Sequence, residues 1–173
     1  MLDEIKKTIR TINDFPKKGI AYKDITTALK NADTLKNIID LMAERFAGQK
    51  IDIVTGIESR GFIFASMLAI KLGAGFVPIR KVGKLPSKTV KISYELEYGT
   101  DTIEMHSDAI EKGKNVLLVD DLLATGGTAK AACTLLKQCG ANLISAVFFI
   151  ELTKLNGKQK LLPETNVFSL IEF

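Results

Sequence analysis

Residues 115–139 read NVLLVDDLLATGGTAKAACTLLKQC and carry the pattern that decides the fold class. Residues 116–119 form an apolar run with the length of a buried strand. Two adjacent carboxylates, Asp120 and Asp121, follow it, and a loop of small residues leads into an alanine-rich amphipathic stretch that ends at Cys139. The order of strand, acidic pair, loop and helix is typical of one unit of an open α/β sheet.

The loop behind the acidic pair has the composition of a phosphate site. Its residues are Ala124, Thr125, Gly126, Gly127 and Thr128. The amino end of a helix presents unpaired N–H groups and a partial positive charge, which suits a phosphate monoester. The two glycines let the backbone approach a phosphate closely, and the two threonines can add hydroxyl donors.

Asp120 and Asp121 stand at the carboxyl edge of the predicted strand, where open α/β sheets bind ligands. Because an ionised carboxylate only accepts hydrogen bonds, the pair can take the hydroxyl donors of a sugar. A phosphate site beside these acceptors predicts a ribose 5-phosphate ligand. The alternative is a strand-to-helix turn with acidic caps. A P-loop and a dinucleotide fingerprint do not fit, because neither Gly-Lys-Ser/Thr nor G-x-G-x-x-G is present.

The other elements follow from hydrophobic periodicity and from glycine and proline punctuation. The pattern predicts three helices before the central unit, the second of them capped by Asp33: residues 3–12, 33–47 and about 62–72. It predicts strands at residues 20–25, 51–54, 76–79, 141–150 and 167–173, and a hairpin over residues 90–106 that turns at 98–99.

The stretch VLLVDDLLATGGT resembles the phosphoribosyl-pyrophosphate (PRPP) binding motif of the type I phosphoribosyltransferases, in the form found in members that use adenine. Further segments resemble motifs of that family in order, from Phe15 to Leu170. The resemblance implies one α/β domain over residues 1–173, with a mostly parallel twisted sheet flanked by helices. It also implies an N-terminal hood over about residues 1–32, with C-terminal contributions, and a mobile β-hairpin lid over about residues 81–106.

Residues 14–26, DFPKKGIAYKDIT, resemble the family segment F-P-x-P-G-[IV]-x-F-x-D-I-[ST], which forms the hood over the base. The chain departs from it at Lys18, where proline is usual, and at Tyr22, where phenylalanine is usual. The resemblance implies that the Ala21 backbone reads the adenine edge and that Tyr22 or a neighbour such as Lys23 contacts the ring. The alternative is that the aromatic residues of this segment form the core of the hood.

Residues 56–62, GIESRGF, resemble the family loop that holds pyrophosphate. Arg60 supplies a guanidinium group suited to phosphate oxygens. Family members often hold a non-proline cis peptide in this loop, which would here lie between Glu58 and Ser59, and the resemblance implies that both of these residues contact the substrate. The alternative for Arg60 is a solvated arginine at the start of a helix.

Residues 80–86, RKVGKLP, place three cations and two chain breakers at a strand end, which indicates contact with an anion. The similar family segment implies that Arg80, Lys81 and Lys84 lie near pyrophosphate. A solvated charged face is the alternative for each of them.

Residues 93–99, SYELEYG, resemble the family lid. The resemblance implies that Glu97 is the acid/base that manages the proton of the incoming base, and that Tyr98 shields the reaction centre. An ordinary hairpin tip is the alternative. Residues 151–155, ELTKL, resemble a family segment whose leucine lines the base pocket, which here is Leu152.

Taken together, the resemblance implies transfer of the phosphoribosyl group from PRPP to adenine, with AMP and pyrophosphate as products. Glu97 and Arg60 are the expected catalytic residues, and Mg²⁺ is expected to bind mainly through PRPP rather than through direct protein ligands. Two alternatives remain open: a transferase for hypoxanthine, guanine or xanthine, and a PRPP-sensing regulator without turnover.

Bulk composition narrows the class of protein. The net charge is +4, but the lysines are spread along the chain instead of forming a stripe, which argues against a nucleic-acid partner. No apolar run has the length of a membrane span and the start lacks a secretory signal, so we expect no membrane partner and a cytoplasmic location. The family resemblance implies a homodimer, with residues near Arg80 and the helix over 60–72 as the expected interface.

Overall fold

The computed structural model describes residues 1–95 and 99–173. No helix within these ranges is both long and apolar enough to cross a membrane. The elements are, in chain order, α1 (Leu2–Thr8), β1 (Arg10–Asn13), β2 (Ala21–Asp24), α2 (Thr26–Leu29), α3 (Ala32–Glu44), β3 (Ile53–Ile57), α4 (Gly61–Leu72), β4 (Gly75–Lys81), β5 (Thr89–Glu95), β6 (Thr100–His106), β7 (Asn115–Leu123), α5 (Gly127–Gln138), β8 (Asn142–Glu151), a 3₁₀ turn (Thr153–Leu155), α6 (Gly157–Leu161) and β9 (Asn166–Glu172).

The central sheet is mostly parallel, as the sequence predicts. Its strand order is β5-β6-β4-β3-β7-β8-β9. The strands β4, β3, β7, β8 and β9, neighbours in that order, all pair in parallel. In contrast, β6 pairs antiparallel with both β4 and β5. The carboxyl ends of β3, β4 and β7 therefore meet at one edge of the sheet, which is where ligands bind in this architecture.

Strand β7 lies between two hydrophobic cores, one on each face of the sheet, and contributes side chains to both. Leu117 and Val119 pack on the face covered by α3 and α4, while Val116 and Leu118 pack on the face covered by α5. All four side chains are fully buried, because neighbouring residues of a strand point to opposite faces and both faces are covered here.

The N-terminal segment departs from the predicted helical pattern. The predicted helix over residues 3–12 was wrong beyond Thr8, because Ile9 has an extended backbone and residues 10–13 pair with β2 in a separate two-stranded sheet. Ile5 and Ile9 are buried as the pattern requires, but Ile12 is exposed. An ion pair between Arg10 and Asp24 reinforces this strand pairing, which outweighs the local helical periodicity.

Two other element boundaries differ from prediction. Helix α3 is capped by Asn31, whose side chain accepts a hydrogen bond from Thr34 N at 2.8 Å, and not by Asp33. Strand β7 continues through the acidic pair to Leu123, because its pairing with β8 extends to the register of Leu123 with Glu151. The acidic pair consequently belongs to the end of a rigid strand and not to the loop that follows it.

Candidate active site

A cleft of about 1000 Å³ opens at the carboxyl ends of β3, β4 and β7. Predicted site residues from three separate segments line it: Glu58, Ser59, Arg60, Arg80, Lys81, Asp120, Asp121, Ala124, Thr125, Gly126, Gly127 and Thr128. The hairpin of β5 and β6 adds Tyr94, Glu95, Asp101 and Ile103 to the wall. The fold therefore brings the predicted phosphate loop, acidic pair and cations into one crevice.

The loop over residues 124–128 is held in shape by close glycine packing. Gly126 has φ +79°, and a Cβ there would lie 2.7 Å from the Gly157 carbonyl oxygen. A Cβ on Gly157 would in turn collide with the Ala124 carbonyl oxygen. Gly126 thus allows the close approach of α6 to the loop, a role that the sequence did not predict, and the approach of a phosphate to Gly126 stays a prediction. Gly127, where α5 begins, has more room, with 3.8 Å between its virtual Cβ and the Glu95 carbonyl oxygen.

Two wall residues that were not predicted from the sequence, Tyr94 and Asp101, connect the phosphate loop to Lys81 on β4. Thr128 Oγ1 lies 3.1 Å from the Tyr94 hydroxyl, and the Tyr94 hydroxyl lies 3.4 Å from Asp101 Oδ2. Asp101 also pairs with Lys81 at 3.2 Å. Burial raises the pKa of Tyr94, so its hydroxyl keeps its proton. The sequence did contain a signal for Tyr94, because exposed and half-buried residues alternate along β5 and Tyr94 falls on the half-buried face. Tyr94 also lies within the SYELEYG segment.

The acidic pair is linked to Arg60 at the start of α4. Arg60 Nε lies 2.7 Å from Asp121 Oδ2, and Asp120 Oδ1 accepts a hydrogen bond from Asp121 N at 2.9 Å. A Cβ on Gly61 would lie 2.8 Å from Asp120 Oδ1, so the first residue of the helix must be small for the strand end to fit. Both carboxyls face the cleft and can accept hydrogen bonds from sugar hydroxyls.

Burial raises the pKa of both carboxyls of this pair. Burial raises the pKa of Asp120 well above its ordinary value, and the neighbouring charge of Asp121 raises it further. The pKa of Asp121 is also raised by burial, although the Arg60 guanidinium opposes the shift. The fold therefore holds a pair of carboxyls whose ionisation costs free energy, which is common at sites that bind cations or hydroxyl donors.

This arrangement predicts how stability changes with pH in an Asp120→Asn variant. Between the ordinary and the raised pKa, the native state keeps a proton that the unfolded chain has lost, so ionisable Asp120 lowers the free energy of unfolding as pH rises. Because asparagine does not ionise, the variant should gain stability relative to the wild type as pH rises above the ordinary range of a carboxyl pKa. Urea denaturation at several pH values measures this difference.

The matched control is Asp52→Asn at the opposite edge of the sheet. There a hydrogen bond from the Asn115 backbone N–H lowers the pKa of the carboxyl, so the sign is reversed. This variant should lose stability relative to the wild type as pH rises through the acid range. Parallel pH profiles for Asp120→Asn and the wild type would contradict the prediction.

Glu58 pairs with cations at and just beyond the end of β4. Its carboxylate accepts hydrogen bonds from Arg80 Nε at 3.1 Å, from Lys84 Nζ at 2.8 Å and from the Lys81 backbone N–H at 3.1 Å. Burial opposes ionisation, but Lys84, Arg80 and the Lys81 N–H together lower the pKa of Glu58 to about 2. The Glu58–Ser59 peptide is cis, which confirms the expectation from the resemblance. Lys84 is not part of the cleft wall and connects to it through Glu58.

Of the predicted base-contacting residues Ala21, Tyr22 and Lys23, only Tyr22 forms a hydrogen bond to a residue of the cleft wall among the described residues. The Tyr22 hydroxyl accepts a hydrogen bond from Arg60 Nη1 and so reaches the site, although Tyr22 is not part of the wall. Ala21, Lys23 and Leu152 are not part of the wall either. The Lys23 ammonium lies 4.0 Å from the centroid of the Phe173 ring, and Leu152 packs against the hydrophobic core on the face covered by α3 and α4.

The predicted lid residues Glu97 and Tyr98 lie outside the described residues. Strand β5 ends at Glu95, which lines the cleft, and β6 begins at Thr100. Among residues 1–95 and 99–173, no group of three or more His, Cys, Asp or Glu residues is arranged to hold a metal ion.

Helix α6 was not predicted, yet it contributes Lys160 to the cleft wall and Gly157 to the support of the phosphate loop. The available signal was Asn156-Gly157, because that dipeptide marks a turn and Asn156 has a positive φ. Nothing in the local sequence shows that this turn packs against residues 124–126.

Comparison with known proteins agrees with this geometry. Residues 24–172 match the model of the phosphoribosyl transferase domain family. The chain is 58% identical to the adenine phosphoribosyltransferase of Geotalea uraniireducens, an alignment that covers 99% of this chain and 100% of the relative.

Solved structures also resemble this chain over its full length. A crystal structure of adenine phosphoribosyltransferase from Thermoanaerobacter pseudethanolicus superposes with a TM-score of 0.96 at 50% identity, covering 100% of both chains. The enzyme from Saccharomyces cerevisiae, complexed with an imino-altritol bisphosphate and adenine, superposes with a TM-score of 0.92 at 43% identity, covering 98% of this chain and 97% of the other. The chain belongs to the phosphoribosyltransferase family.

Proposed function

We propose that the protein transfers the 5-phosphoribosyl group of PRPP to adenine, forming AMP and releasing pyrophosphate. The observation that carries this proposal is that one cleft wall combines the phosphate loop, the acidic pair and the cations Arg80 and Lys81. The full-length similarity to adenine phosphoribosyltransferases supports adenine as the accepted base.

The residues of the cleft suggest how the reaction is stabilised. The loop over residues 124–128 binds the 5-phosphate at the amino end of α5, and the Asp120 and Asp121 carboxyls accept hydrogen bonds from the ribose hydroxyls. Arg80 and Lys81, on the same cleft wall, bind the leaving pyrophosphate. Cations that are already in place stabilise the charge that develops as the bond from the sugar C1 to the pyrophosphate oxygen breaks.

The base completes the substitution from the opposite side of the sugar. A new bond forms between adenine N9 and the sugar C1, and the N9 proton leaves. We propose Glu97 as the acceptor of that proton and Tyr98 as a shield against water, on the basis of their positions in the SYELEYG segment. Few protein groups take part in covalent chemistry, so positioning and electrostatics carry most of the rate enhancement.

We propose that Mg²⁺ binds with PRPP and takes most of its ligands from phosphate, sugar and water oxygens. The chemistry of the cleft fits this ion, because the carboxyls of Asp120 and Asp121 offer hard oxygens on the same wall as the predicted pyrophosphate cations. The bound ion would supply positive charge to the leaving pyrophosphate.

We also propose a homodimer and a cytoplasmic location. Apolar side chains on α4 and β4 support the first, because Ile63, Ile70 and Phe76 are exposed on neighbouring elements. Light scattering coupled to size exclusion would measure the mass in solution. The two free thiols of Cys133 and Cys139 support a reducing compartment.

A pyrophosphate-release assay with a panel of purines tests the central proposal. With PRPP and Mg²⁺, adenine should give AMP and pyrophosphate, and its kcat/KM should exceed those of hypoxanthine, guanine and xanthine by at least about 100-fold. A higher kcat/KM for another purine would identify the alternative transferase. PRPP binding without turnover on any purine would favour the regulator.

A further inference from the structure

The guanidinium group of Arg60 lies between Tyr22 of the N-terminal segment and Asp121 of the acidic pair. On one side its Nε pairs with Asp121 Oδ2 at 2.7 Å. On the other side its Nη1 donates a hydrogen bond to the Tyr22 hydroxyl. One side chain therefore joins the segment expected to cover the base with a carboxyl expected to bind the ribose.

The Tyr22 hydroxyl is held firmly enough to act as a fixed acceptor. The Tyr22 ring packs edge-on against Phe15, with 5.2 Å between ring centroids and 73° between planes. Strand pairing of Tyr22 with Ile12 fixes the backbone of the same residue. The hydrogen bond from Arg60 is also charge-assisted, and such bonds are roughly twice as strong as neutral ones.

Asp121 holds the other side of Arg60 equally well. Its side chain is only 6% exposed, and it belongs to the end of β7 rather than to a loop. A guanidinium group has about five N–H donors, of which these two contacts use two. The remaining donors stay available at the junction between base and sugar.

From this geometry we infer that the Tyr22 hydroxyl is a positioning group that couples the base site to the ribose site through Arg60. Tyr22 orients the guanidinium from the hood while Asp121 orients it from the strand. A base in the hood and a ribose phosphate on the strand thus stabilise the same Arg60 conformation, so each ligand should strengthen binding of the other. The inference rests on the proposed function, because it takes adenine and a ribose 5-phosphate as the two ligands.

A phenylalanine at position 22 would retain the aromatic ring and lose only the hydroxyl that accepts the hydrogen bond from Arg60. It would pack against Phe15 and lie near the guanidinium, whose carbon is 5.8 Å from the centroid of the Tyr22 ring. It would offer no acceptor to Arg60 Nη1. The Tyr22→Phe substitution therefore separates the role of the hydroxyl from the role of the ring.

The experiment is a calorimetric titration of adenine in the absence and presence of ribose 5-phosphate. This pair cannot react, because ribose 5-phosphate has no pyrophosphate leaving group. In the wild-type protein, ribose 5-phosphate should increase the affinity for adenine. In Tyr22→Phe this increase should shrink by about three- to tenfold, with little change in the melting temperature. An unchanged increase would overturn the inference, and so would an equal loss of adenine affinity with and without ribose 5-phosphate.

A double-mutant cycle with Arg60→Lys identifies the route of the coupling. Lysine keeps a positive charge beside Asp121, but a single ammonium cannot span both partners as the guanidinium fork does. Tyr22→Phe should therefore have no further effect on the coupling in the Arg60→Lys background. The same loss in both backgrounds would overturn the route through Arg60. If the wild-type protein bound neither adenine nor ribose 5-phosphate, the proposed function would fail instead.

Discussion

Gly126→Ala should lower kcat/KM for PRPP by at least about 100-fold, because a displacement of about 1 Å in a positioning loop can cost that much. Gly126 has φ +79°, and an added methyl group would lie 2.7 Å from the Gly157 carbonyl oxygen and 3.0 Å from Leu161 Cδ1. The nearest obstacle is backbone, so residues 124–128 must move away from α6. Steady-state kinetics with varied PRPP measures the loss, and thermal unfolding confirms that the variant is folded.

Gly113→Ala is the matched control for Gly126→Ala. Gly113 also has a positive φ of +83°, but nothing lies within 4 Å of its virtual Cβ. It should therefore show only the cost of a left-handed backbone, about 1–2 kcal/mol of stability, with kcat/KM for PRPP unchanged. Equal kinetics for the two variants would show that contact with α6 does not shape the phosphate loop.

Asp121→Asn should raise KM for PRPP by at least about tenfold, because a charge-assisted hydrogen bond contributes roughly 1.5–3 kcal/mol. The substitution keeps the size of the side chain but removes the charge that holds Arg60 Nε at 2.7 Å. It also turns one of the two oxygens expected to accept ribose hydroxyls into a donor. The loss should fall mainly on PRPP, since the carboxyl is expected to bind the ribose hydroxyls of that substrate. Initial rates with each substrate varied in turn give both KM values.

Asp52→Asn serves as the control with the same change of charge. Asp52 accepts a hydrogen bond from the Asn115 N–H at 2.9 Å, at the amino edge of the sheet. Its variant should keep both KM values while losing some stability. An unchanged KM for PRPP in Asp121→Asn would remove the carboxyl from the ribose site.

Several features of the site could be predicted from residue order alone. The apolar run before Asp120 and the glycine-threonine loop behind Asp121 predicted a strand end with a phosphate loop, and the structure places both at the carboxyl edge of the sheet. The GIESRGF and RKVGKLP segments likewise predicted anion-binding residues, and Arg60, Arg80 and Lys81 lie on the same wall. These predictions were possible because the residues at the end of a strand are neighbours along the chain. Parallel strands then place their carboxyl ends at the same edge of the sheet, so the predicted groups meet there.

The pairing of charges could not be predicted in this way. The substrate contact of Glu58 stays a prediction, but the sequence did not predict that its carboxylate binds Arg80 and Lys84, which follow it by 22 and 26 residues. Tyr22 was expected to contribute a ring, and its hydroxyl meets Arg60 across 38 residues. Such contacts depend on which elements become neighbours, and a motif read along the chain does not contain that information.

The sequence by itself determined which chemical groups stand at the ends of the strands, because hydrophobic periodicity locates strands and the residues that follow them are local to each one. Only the tertiary structure decided that residues 10–13 form a strand, that Gly157 supports the loop behind Ala124 and that Arg60 joins the hood to Asp121. Each of these depends on contacts between segments distant along the chain, whose free energy outweighs local preference once the two surfaces pack together.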